Sequence, residues 1–287
     1  MTAFIKPVPA DKTSSGKPAP TAAQAKPAQG KTDSKLVRVV DRAARIMDCF
    51  SRSTPDLSLP QICARLELPK ATVFRILTTL VDQGWLAYNP ATAVYTLGFA
   101  ALRHADSLLR GLDIRSQARP FMRAIRDAVN ETVILSLRDG DDRINVDSMD
   151  SGQAISQTLQ LGVRAPLYTG AASQVFLAAM DDAEVEAYLA RVDLVGYNPA
   201  TLTTPDAIRA RVAQVRAQGY VRTLGEFTVS ASQTAAIAVP VRDPSGKVVA
   251  ALHVSGPQSR MTEEMEQACR EALLRESAAL TAALAGS

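Results

Sequence analysis

The segment from Leu57 to Leu97 constrains the fold of this chain more than any other segment. A short helix begins near Pro60, where a missing backbone N–H costs nothing. The run Glu67-Leu68-Pro69 interrupts this helix, because Pro69 disfavours helical geometry at the residue before it. A second helix runs from Pro69 or Lys70 to about Gln83 and carries apolar residues at i, i+3, i+4 and i+7 spacing. These residues are Val73, Ile76, Leu77 and Leu80.

A two-stranded ribbon follows the second helix. Its strands are Trp85–Tyr88 and Val94–Leu97, and the run Asn89-Pro90-Ala91-Thr92 forms the turn between them. Two helices joined by a tight turn and followed by a β-ribbon make up a winged helix-turn-helix, whose second helix enters the DNA major groove. A small helical subdomain with a solvated polar face is the alternative interpretation.

The outward face of the second helix carries residue types that suit DNA recognition. Arginine can bind guanine edges through two hydrogen bonds, lysine contacts phosphates, and threonine contacts phosphates or a thymine methyl group. The sequence therefore predicts five DNA-binding residues in this helix: Lys70, Ala71, Thr72, Arg75 and Thr79.

The run LPKATVFRILTTLVDQGWL resembles the signature of the IclR family of bacterial transcription regulators. Motifs that resemble the family's second domain follow in the right order: GYVRT, then IAVPVRDPSGKVVAALHVSGP, then a closing helix. The resemblance extends from about Leu36 to the C-terminus. Ala71 and Phe74 stand where Ser and His are frequent, and Glu67 replaces the usual turn glycine. A left-handed glutamate at that turn costs about 1 kcal/mol.

The resemblance implies an α+β architecture. An N-terminal winged helix-turn-helix domain is joined by a helix to a GAF- or PAS-like α+β effector-binding domain. The expected division is a disordered basic tail over residues 1–34, the DNA-binding domain over 35–98, a linker helix over 99–112 and the effector-binding domain over 113–287. The tail can add phosphate affinity or serve only as a solubilising extension.

The linker helix carries an apolar stripe that suits pairing of two chains, as the corresponding helix does in IclR-like proteins. Packing of this stripe on its own subunit is the alternative. The stripe consists of Ala101, Leu102, Ala105, Leu108 and Leu109.

A loop that opens a helix at Thr169-Gly170-Ala171 is the candidate ligand site of the second domain. Unpaired N–H groups and the helix dipole at such a terminus favour an anion such as a carboxylate. The resemblance implies seven effector-binding residues: Gly170, Ala171, Glu226, Thr234, Ala236, His253 and Ser255. Ala236 replaces a frequent Cys and His253 a frequent Ser, so no particular metabolite is carried over from the family. For His253 the alternative is a core histidine satisfied by the backbone.

Composition excludes several other classes of protein. No apolar run approaches the roughly 18 residues needed to span a bilayer, and the N-terminus lacks the apolar stretch of a signal peptide. Three widely spaced cysteines predict core thiols in a reduced, cytoplasmic compartment. The formal net charge is +3, but the tail to Lys35 holds six Lys and two Asp, so only the local placement of charge indicates DNA binding.

Catalysis requires a constellation of side chains that the sequence lacks. Only two histidines occur, His104 and His253, which excludes a histidine-rich metal site. The CxxC, HExxH and phosphate-binding loop motifs are absent. Ser255 would share a strand face with His253, but neither a nucleophile elbow nor a third catalytic residue accompanies them. We therefore expect a protein that is not an enzyme and that uses no metal or cofactor.

The sequence thus predicts a sequence-specific DNA-binding transcription regulator. We expect a homodimer or homotetramer on a palindromic operator in double-stranded DNA, since dimer symmetry matches operator symmetry. A small organic acid, aromatic acids included, is the expected effector, and no membrane partner is expected. Two alternatives stay open. One is a regulator whose second domain serves only for oligomerisation, and the other is an enzyme or small-molecule carrier with an incidental winged helix.

Overall fold

The structure, a computed structural model, describes residues 37–51, 53–153, 161–226 and 234–286. Its N-terminal domain consists of three helices and a small antiparallel sheet. Along the chain these elements are α1 (Arg38–Met47), β1 (Asp56–Ser58), α2 (Leu59–Leu66), α3 (Lys70–Asp82), β2 (Leu86–Asn89) and β3 (Val94–Leu97).

One apolar core holds the N-terminal domain together. The inward residues of α3 pack against Ile46 of α1, Ile62 of α2 and Leu86 of β2, all of which are buried. Helix α1 is shorter than the predicted helix over residues 36–50. The apolar pattern of residues 36–50 predicts that Val39 and Val40 face inward, but both are exposed. That prediction was wrong because the side of α1 that faces α3 begins only near Ala43, one turn further along.

The turn between α2 and α3 has the geometry expected of a helix-turn-helix. Glu67 caps α2 in the left-handed conformation, with φ 54° and ψ 39°. Pro69 then precedes the first residue of α3 in extended geometry. The glutamate therefore adopts the conformation for which a glycine is usual, at a cost of about 1 kcal/mol.

The wing is a three-stranded sheet in the order β1-β3-β2, rather than the expected two-stranded ribbon. The additional strand β1 pairs with β3 so that Leu57 lies opposite Tyr95. Leu57 is fully buried in the domain core. Burial of this single leucine explains why so short a segment, which has no strand-like repeat of its own, joins the sheet.

Helix α4 (Phe99–Arg110) follows the wing and matches the predicted linker helix. Its first turn is tied to the end of α3, since the Ala100 N–H donates to the Gly84 carbonyl at 3.1 Å. A Cβ atom at Gly98 would overlap that same carbonyl group. His104 is exposed, as expected, but it stacks on Trp85 with 4.6 Å between ring centroids. These contacts fix the direction of the linker helix relative to the winged domain.

The C-terminal domain is a six-stranded antiparallel sheet in the order β6-β5-β4-β9-β8-β7, covered by helices on both faces. Along the chain its elements are α5 (Asp113–Val129), β4 (Thr132–Asp139), β5 (Asp142–Met149), β6 (Arg164–Pro166), α6 (Ala171–Ala178), α7 (Asp182–Arg191), α8 (Pro205–Gln218), β7 (Val221–Leu224), β8 (Thr234–Arg242), β9 (Val248–Pro257) and α9 (Glu263–Ala285). A predicted strand over residues 155–159 lies outside the described residues. The short strand β6 was not predicted.

The sheet separates two apolar cores, one on each of its faces. Helices α5 and α9 pack on one face, against strand residues such as Ile237 and Leu252. Helices α6, α7 and α8 form the other core, which includes the alternate strand residues Ala238 and Ala251. Outside the irregularities in the β4–β5 and β8–β9 pairings, alternation along each strand therefore assigns sheet residues to the α5/α9 face or to the α6 face. The chain thus has the α+β class and the two-domain organisation that the sequence predicted. Within the part of the chain that the structure describes, no helix is both long and apolar enough to cross a membrane.

Candidate functional site

The outward face of α3 presents the residues that the sequence predicted for DNA contact. Lys70, Ala71, Arg75 and Thr79 are exposed and Thr72 is half-buried. The opposite side of the helix is buried in the domain core. The structure therefore brings all five predicted residues to one accessible helix surface.

The hydroxyls of Thr78 and Thr79 are already used within the helix. Thr79 Oγ1 donates to the Arg75 carbonyl at 3.1 Å, and Thr78 Oγ1 donates to the Phe74 carbonyl at 3.0 Å. Their protons are thus committed, while their methyl groups and remaining lone pairs face outward. Thr79 is left as an acceptor or an apolar contact, and Lys70 and Arg75 are the strong donors of this surface.

Phe74 is a residue of this surface that the sequence analysis did not include. Its side chain is 53% exposed and lies one helical turn after Lys70. An exposed phenylalanine on a groove-reading helix is suited to contact a thymine methyl group. The signal was present in the helical spacing, which places Phe74 beside Ala71 and Thr78, but an aromatic residue is more often assigned to a core.

The predicted effector-binding residues lie together beneath α6. Ala236 of β8 pairs with Ser255 of β9, and His253 pairs with Ala238. By strand alternation, Thr234, Ala236, His253 and Ser255 all occupy the α6 face of the sheet. Gly170 caps α6 with a φ of 72°, and Ala171 begins that helix. The structure therefore gathers the predicted residues, while their role in ligand binding stays a prediction.

Glu226 fills the N-terminus of α6. Its buried carboxylate accepts hydrogen bonds from the backbone of Gly170, from Gln174 Nε2 at 2.5 Å and from Arg211 Nη1 at 3.0 Å. Burial raises the pKa of Glu226, and the charge of Arg211 opposes that increase. The Thr169 N–H in turn donates to the Pro166 carbonyl. The expectation of unpaired N–H groups over Thr169–Ala171 was therefore wrong at two of its three residues.

A second polar group lies on the same sheet face at the β4–β5 hairpin. Ser136 Oγ donates to Asn145 Oδ1 at 2.9 Å, and Arg143 Nη1 donates to the same oxygen. All three residues are buried. In the sequence, the turn Asp139-Gly140-Asp141 predicts this hairpin but indicates no role in ligand binding. The available signal was the alternation in RINVDSM, which places Arg143 and Asn145 on one face.

His253 faces this polar group from β9. Burial lowers its pKa well below the ordinary value, and the nearby charge of Arg143 lowers it further. The imidazole is therefore neutral at pH 7. Its Nδ1 atom has no hydrogen-bond partner within the described structure, so the backbone does not satisfy both ring nitrogens, as the alternative of a core histidine would require.

Family models match both domains of the chain. A model of the IclR helix-turn-helix domain matches residues 39–90, and one described as bacterial transcriptional regulator IclR C-terminal matches residues 106–282. The chain belongs to the IclR family of bacterial transcriptional regulators. It is a DNA-binding regulator and not an enzyme, in keeping with relatives that are themselves named as regulators.

Two regulators illustrate this relationship. The Pca regulon regulatory protein of Pseudomonas putida is 33% identical over 267 residues, which cover 92% of this chain and 90% of that protein. The HTH-type transcriptional regulator KipR of Bacillus subtilis (strain 168) is 30% identical over 227 residues, which cover 79% of this chain and 89% of that protein.

Solved structures share the same architecture. An IclR transcriptional regulator from Alicyclobacillus acidocaldarius superposes with a TM-score of 0.75 at 24% identity, covering 87% of this chain and all of that one. An IclR homolog from Microbacterium hydrocarbonoxydans, solved in complex with 4-hydroxybenzoate, superposes with a TM-score of 0.68 at 26% identity. That match covers 85% of this chain and 99% of the other. One protein with this fold therefore binds 4-hydroxybenzoate.

Proposed function

We propose that this IclR-family regulator binds a palindromic operator as a homodimer or homotetramer, and that a small organic acid bound beneath α6 changes its operator affinity. The observation that carries this proposal is the buried polar surface on the α6 face of the sheet. A domain that serves only for assembly gains nothing from burying His253 Nδ1 and Asn145 Nδ2 without hydrogen-bond partners in the described structure, since buried polar groups cost free energy unless they are well paired. The 4-hydroxybenzoate complex of the Microbacterium hydrocarbonoxydans homolog supports an acid as the effector.

Operator recognition in this proposal rests on the outward face of α3. Arg75 reads a guanine edge, Lys70 contacts a phosphate, and Phe74 contacts a thymine methyl group. Thr72 and Thr79 line the same surface, and Ala71 allows close approach of the helix to the bases. Because the protein acts on DNA, we place its function in the bacterial cytoplasm.

Helix α4 is the proposed pairing surface. Phe99 is 88% exposed, and Leu102 and Leu108 are also exposed on this helix. Exposure of these three apolar side chains within the described residues favours pairing through α4 over packing of the helix on its own subunit. Two-fold pairing through α4 would present two copies of α3 to the two halves of a palindrome.

The proposed switch needs only a modest free energy. A coupling of about 1–3 kcal/mol between effector and operator changes operator affinity by roughly 5- to 150-fold. Such a value is available if the effector binds one arrangement of the two winged domains better than another.

The test measures binding of the full chain to DNA from upstream of its own gene, with and without small carboxylic acids, at fixed salt. Salt must be fixed because phosphate contacts make the affinity strongly dependent on ionic strength. Specific binding that one acid alters supports the whole proposal. Specific binding that no acid alters, combined with no acid-induced thermal shift, favours a C-terminal domain used only for oligomerisation. Equal affinity for random DNA refutes the proposed operator recognition.

A further inference from the structure

The position of Glu226 limits where the carboxylate of an effector can bind. This side chain is only 5% exposed and already accepts the hydrogen bond of the Gly170 N–H at the start of α6. It is also held by Gln174 and Arg211. A second carboxylate at the same helix terminus would meet a like charge in a buried environment, where repulsion is strong. The N-terminus of α6 is therefore a poor place for another anion.

The other end of the same sheet face offers a buried cation. Arg143 of β5 is 5% exposed, and burial lowers its pKa to about 10, so the guanidinium keeps its charge at pH 7. It donates a hydrogen bond to Asn145 on the same strand, and its charge depresses the pKa of His253 on β9. A guanidinium presents a planar set of donors that matches the two oxygens of a carboxylate.

Three further polar atoms on this face lack hydrogen-bond partners within the described structure. They are His253 Nδ1, Asn145 Nδ2 and Ser173 Oγ, and each is shielded from solvent. Asn145 contributes its atom from β5, the strand of Arg143, and His253 contributes its atom from β9, on the far side of β4. Ser173 contributes its hydroxyl from the first turn of α6. Buried polar atoms in native proteins are paired in the large majority of cases. Polar atoms without hydrogen-bond partners, on the sheet and on the helix α6 that covers it, indicate a place for a polar ligand.

We propose that the effector binds between α6 and the sheet with its carboxylate on Arg143, while Glu226 keeps the N-terminus of α6 closed to anions. Asn145 Nδ2 and Ser173 Oγ donate to the ligand, and His253 contributes a neutral imidazole. The inference rests on the proposed function, since it assumes that the effector is a small organic acid.

The test compares acids with their neutral amides by isothermal titration calorimetry on the full chain at pH 7.5. Three pairs serve as probes: 4-hydroxybenzoate with 4-hydroxybenzamide, benzoate with benzamide, and pyruvate with pyruvamide. For a pair whose acid binds the wild-type chain, we expect the acid to bind at least about tenfold more tightly than its amide. Arg143→Gln should abolish that preference, and its affinity for the amide should be unchanged.

Two outcomes would overturn the placement on Arg143. One is an Arg143→Gln chain that retains the preference for the acid over the amide. The other is a Glu226→Gln chain that binds the acid at least about fivefold more tightly than the wild type, since this gain is expected if the carboxylate competes with Glu226 for the terminus of α6. If no acid binds the wild-type chain, the proposed effector class itself fails. This failure is distinct from failure of the placement on Arg143, because it is seen in the wild-type chain without any variant.

Two further variants separate binding from folding. Arg126→Gln makes the same chemical change on α5, which packs on the opposite face of the sheet. This variant should leave the affinities for the acid and for its amide unchanged. Where Arg143→Gln does not fold by circular dichroism, Arg143→Lys keeps the charge but loses the planar fork, so the acid preference should fall severalfold. Full retention of the preference in Arg143→Lys would count against the proposed carboxylate site.

Discussion

Side chains on the outer face of α3 and those beneath α6 differ in what surrounds them. Lys70, Phe74 and Arg75 extend into solvent from a helix whose other side forms the domain core. Beneath α6, by contrast, Glu226 and Arg143 are buried and hydrogen-bonded to neighbouring side chains. Residues on the outer face of α3 can therefore be substituted without a cost in folding stability, whereas residues beneath α6 cannot. Substitutions that separate affinity from stability test this difference most directly.

The largest effect is expected from the ion pair that closes the terminus of α6. Arg211→Ala leaves the Glu226 carboxylate buried without its cation, so the free energy of unfolding should fall by about 3 kcal/mol. The double variant Arg211→Ala with Glu226→Gln should recover much of that loss, because the uncompensated charge is removed. Urea unfolding of the wild type, the two single variants and the double variant measures both the loss and the recovery of unfolding free energy. Additive losses in the double variant would show that the two groups do not act as a pair.

On the exposed surface, Arg75→Ala should weaken operator binding by about 2 kcal/mol, roughly thirtyfold, and change the free energy of unfolding by less than about 0.5 kcal/mol. The reason is that Arg75, which we propose contacts DNA, is exposed in the folded domain. Fluorescence anisotropy with operator DNA at fixed salt measures the affinity. Arg275→Ala, which removes an exposed arginine from α9, is the matched control. Equal affinity of the Arg75 and Arg275 variants would remove Arg75 from the interface.

A smaller effect should appear as a dependence of stability on pH. The native pKa of His253 is depressed, so below the ordinary value of about 6.5 only the unfolded chain takes up this proton. Lowering the pH from 7.5 to 5.5 should therefore cost the wild-type chain about 1.4 kcal/mol through this residue. His253→Gln should lack this contribution.

The measurement for His253 is the difference between two pH profiles of chemical unfolding. His104→Gln removes the only other histidine and controls for the loss of an imidazole. Parallel profiles for the wild type and His253→Gln would contradict the buried, neutral state of His253.

The smallest effect is expected at the turn between α2 and α3. Glu67→Gly removes the strain of a left-handed glutamate, although a glycine adds entropy to the unfolded chain. The net gain in the free energy of unfolding should be about 0.5 kcal/mol. Thermal unfolding of the two chains measures this difference. A loss of stability would mean that the side chain of Glu67 makes a contact worth more than its strain.

Much of the architecture could be predicted because its signals are local. Helical spacing and a terminal glycine place α3, and the Asp139-Gly140-Asp141 turn places the β4–β5 hairpin within one residue of its observed bounds. Strand β1 shows where local signals fail. The three residues of this strand have no repeat that distinguishes them from a loop, and they join the sheet only because the domain core accepts Leu57.

The two candidate sites differ in the same respect, since one depends on local sequence signals and the other on contacts between distant segments. The outward face of α3 could be predicted since all of its residues belong to one helix, where spacing alone determines direction. The composition of the α6 face depended on strand pairing, which brings Arg143, Ser136 and His253 together from three separate strands. The Asp139-Gly140-Asp141 turn indicates the β4–β5 pairing, but no local pattern indicates the β4–β9 pairing that adds His253.

The sequence by itself determined the family, the succession of elements and the residues that α3 directs outward, because these depend on periodicity and short motifs. Only the tertiary structure decided that Glu226 occupies the N-terminus of α6, and that a buried guanidinium lies at the other end of the same sheet face. The physical reason is that a buried charge takes its partners and its pKa from neighbours that are distant in the chain. Those neighbours are defined only once the sheet has formed and α6 has packed on it.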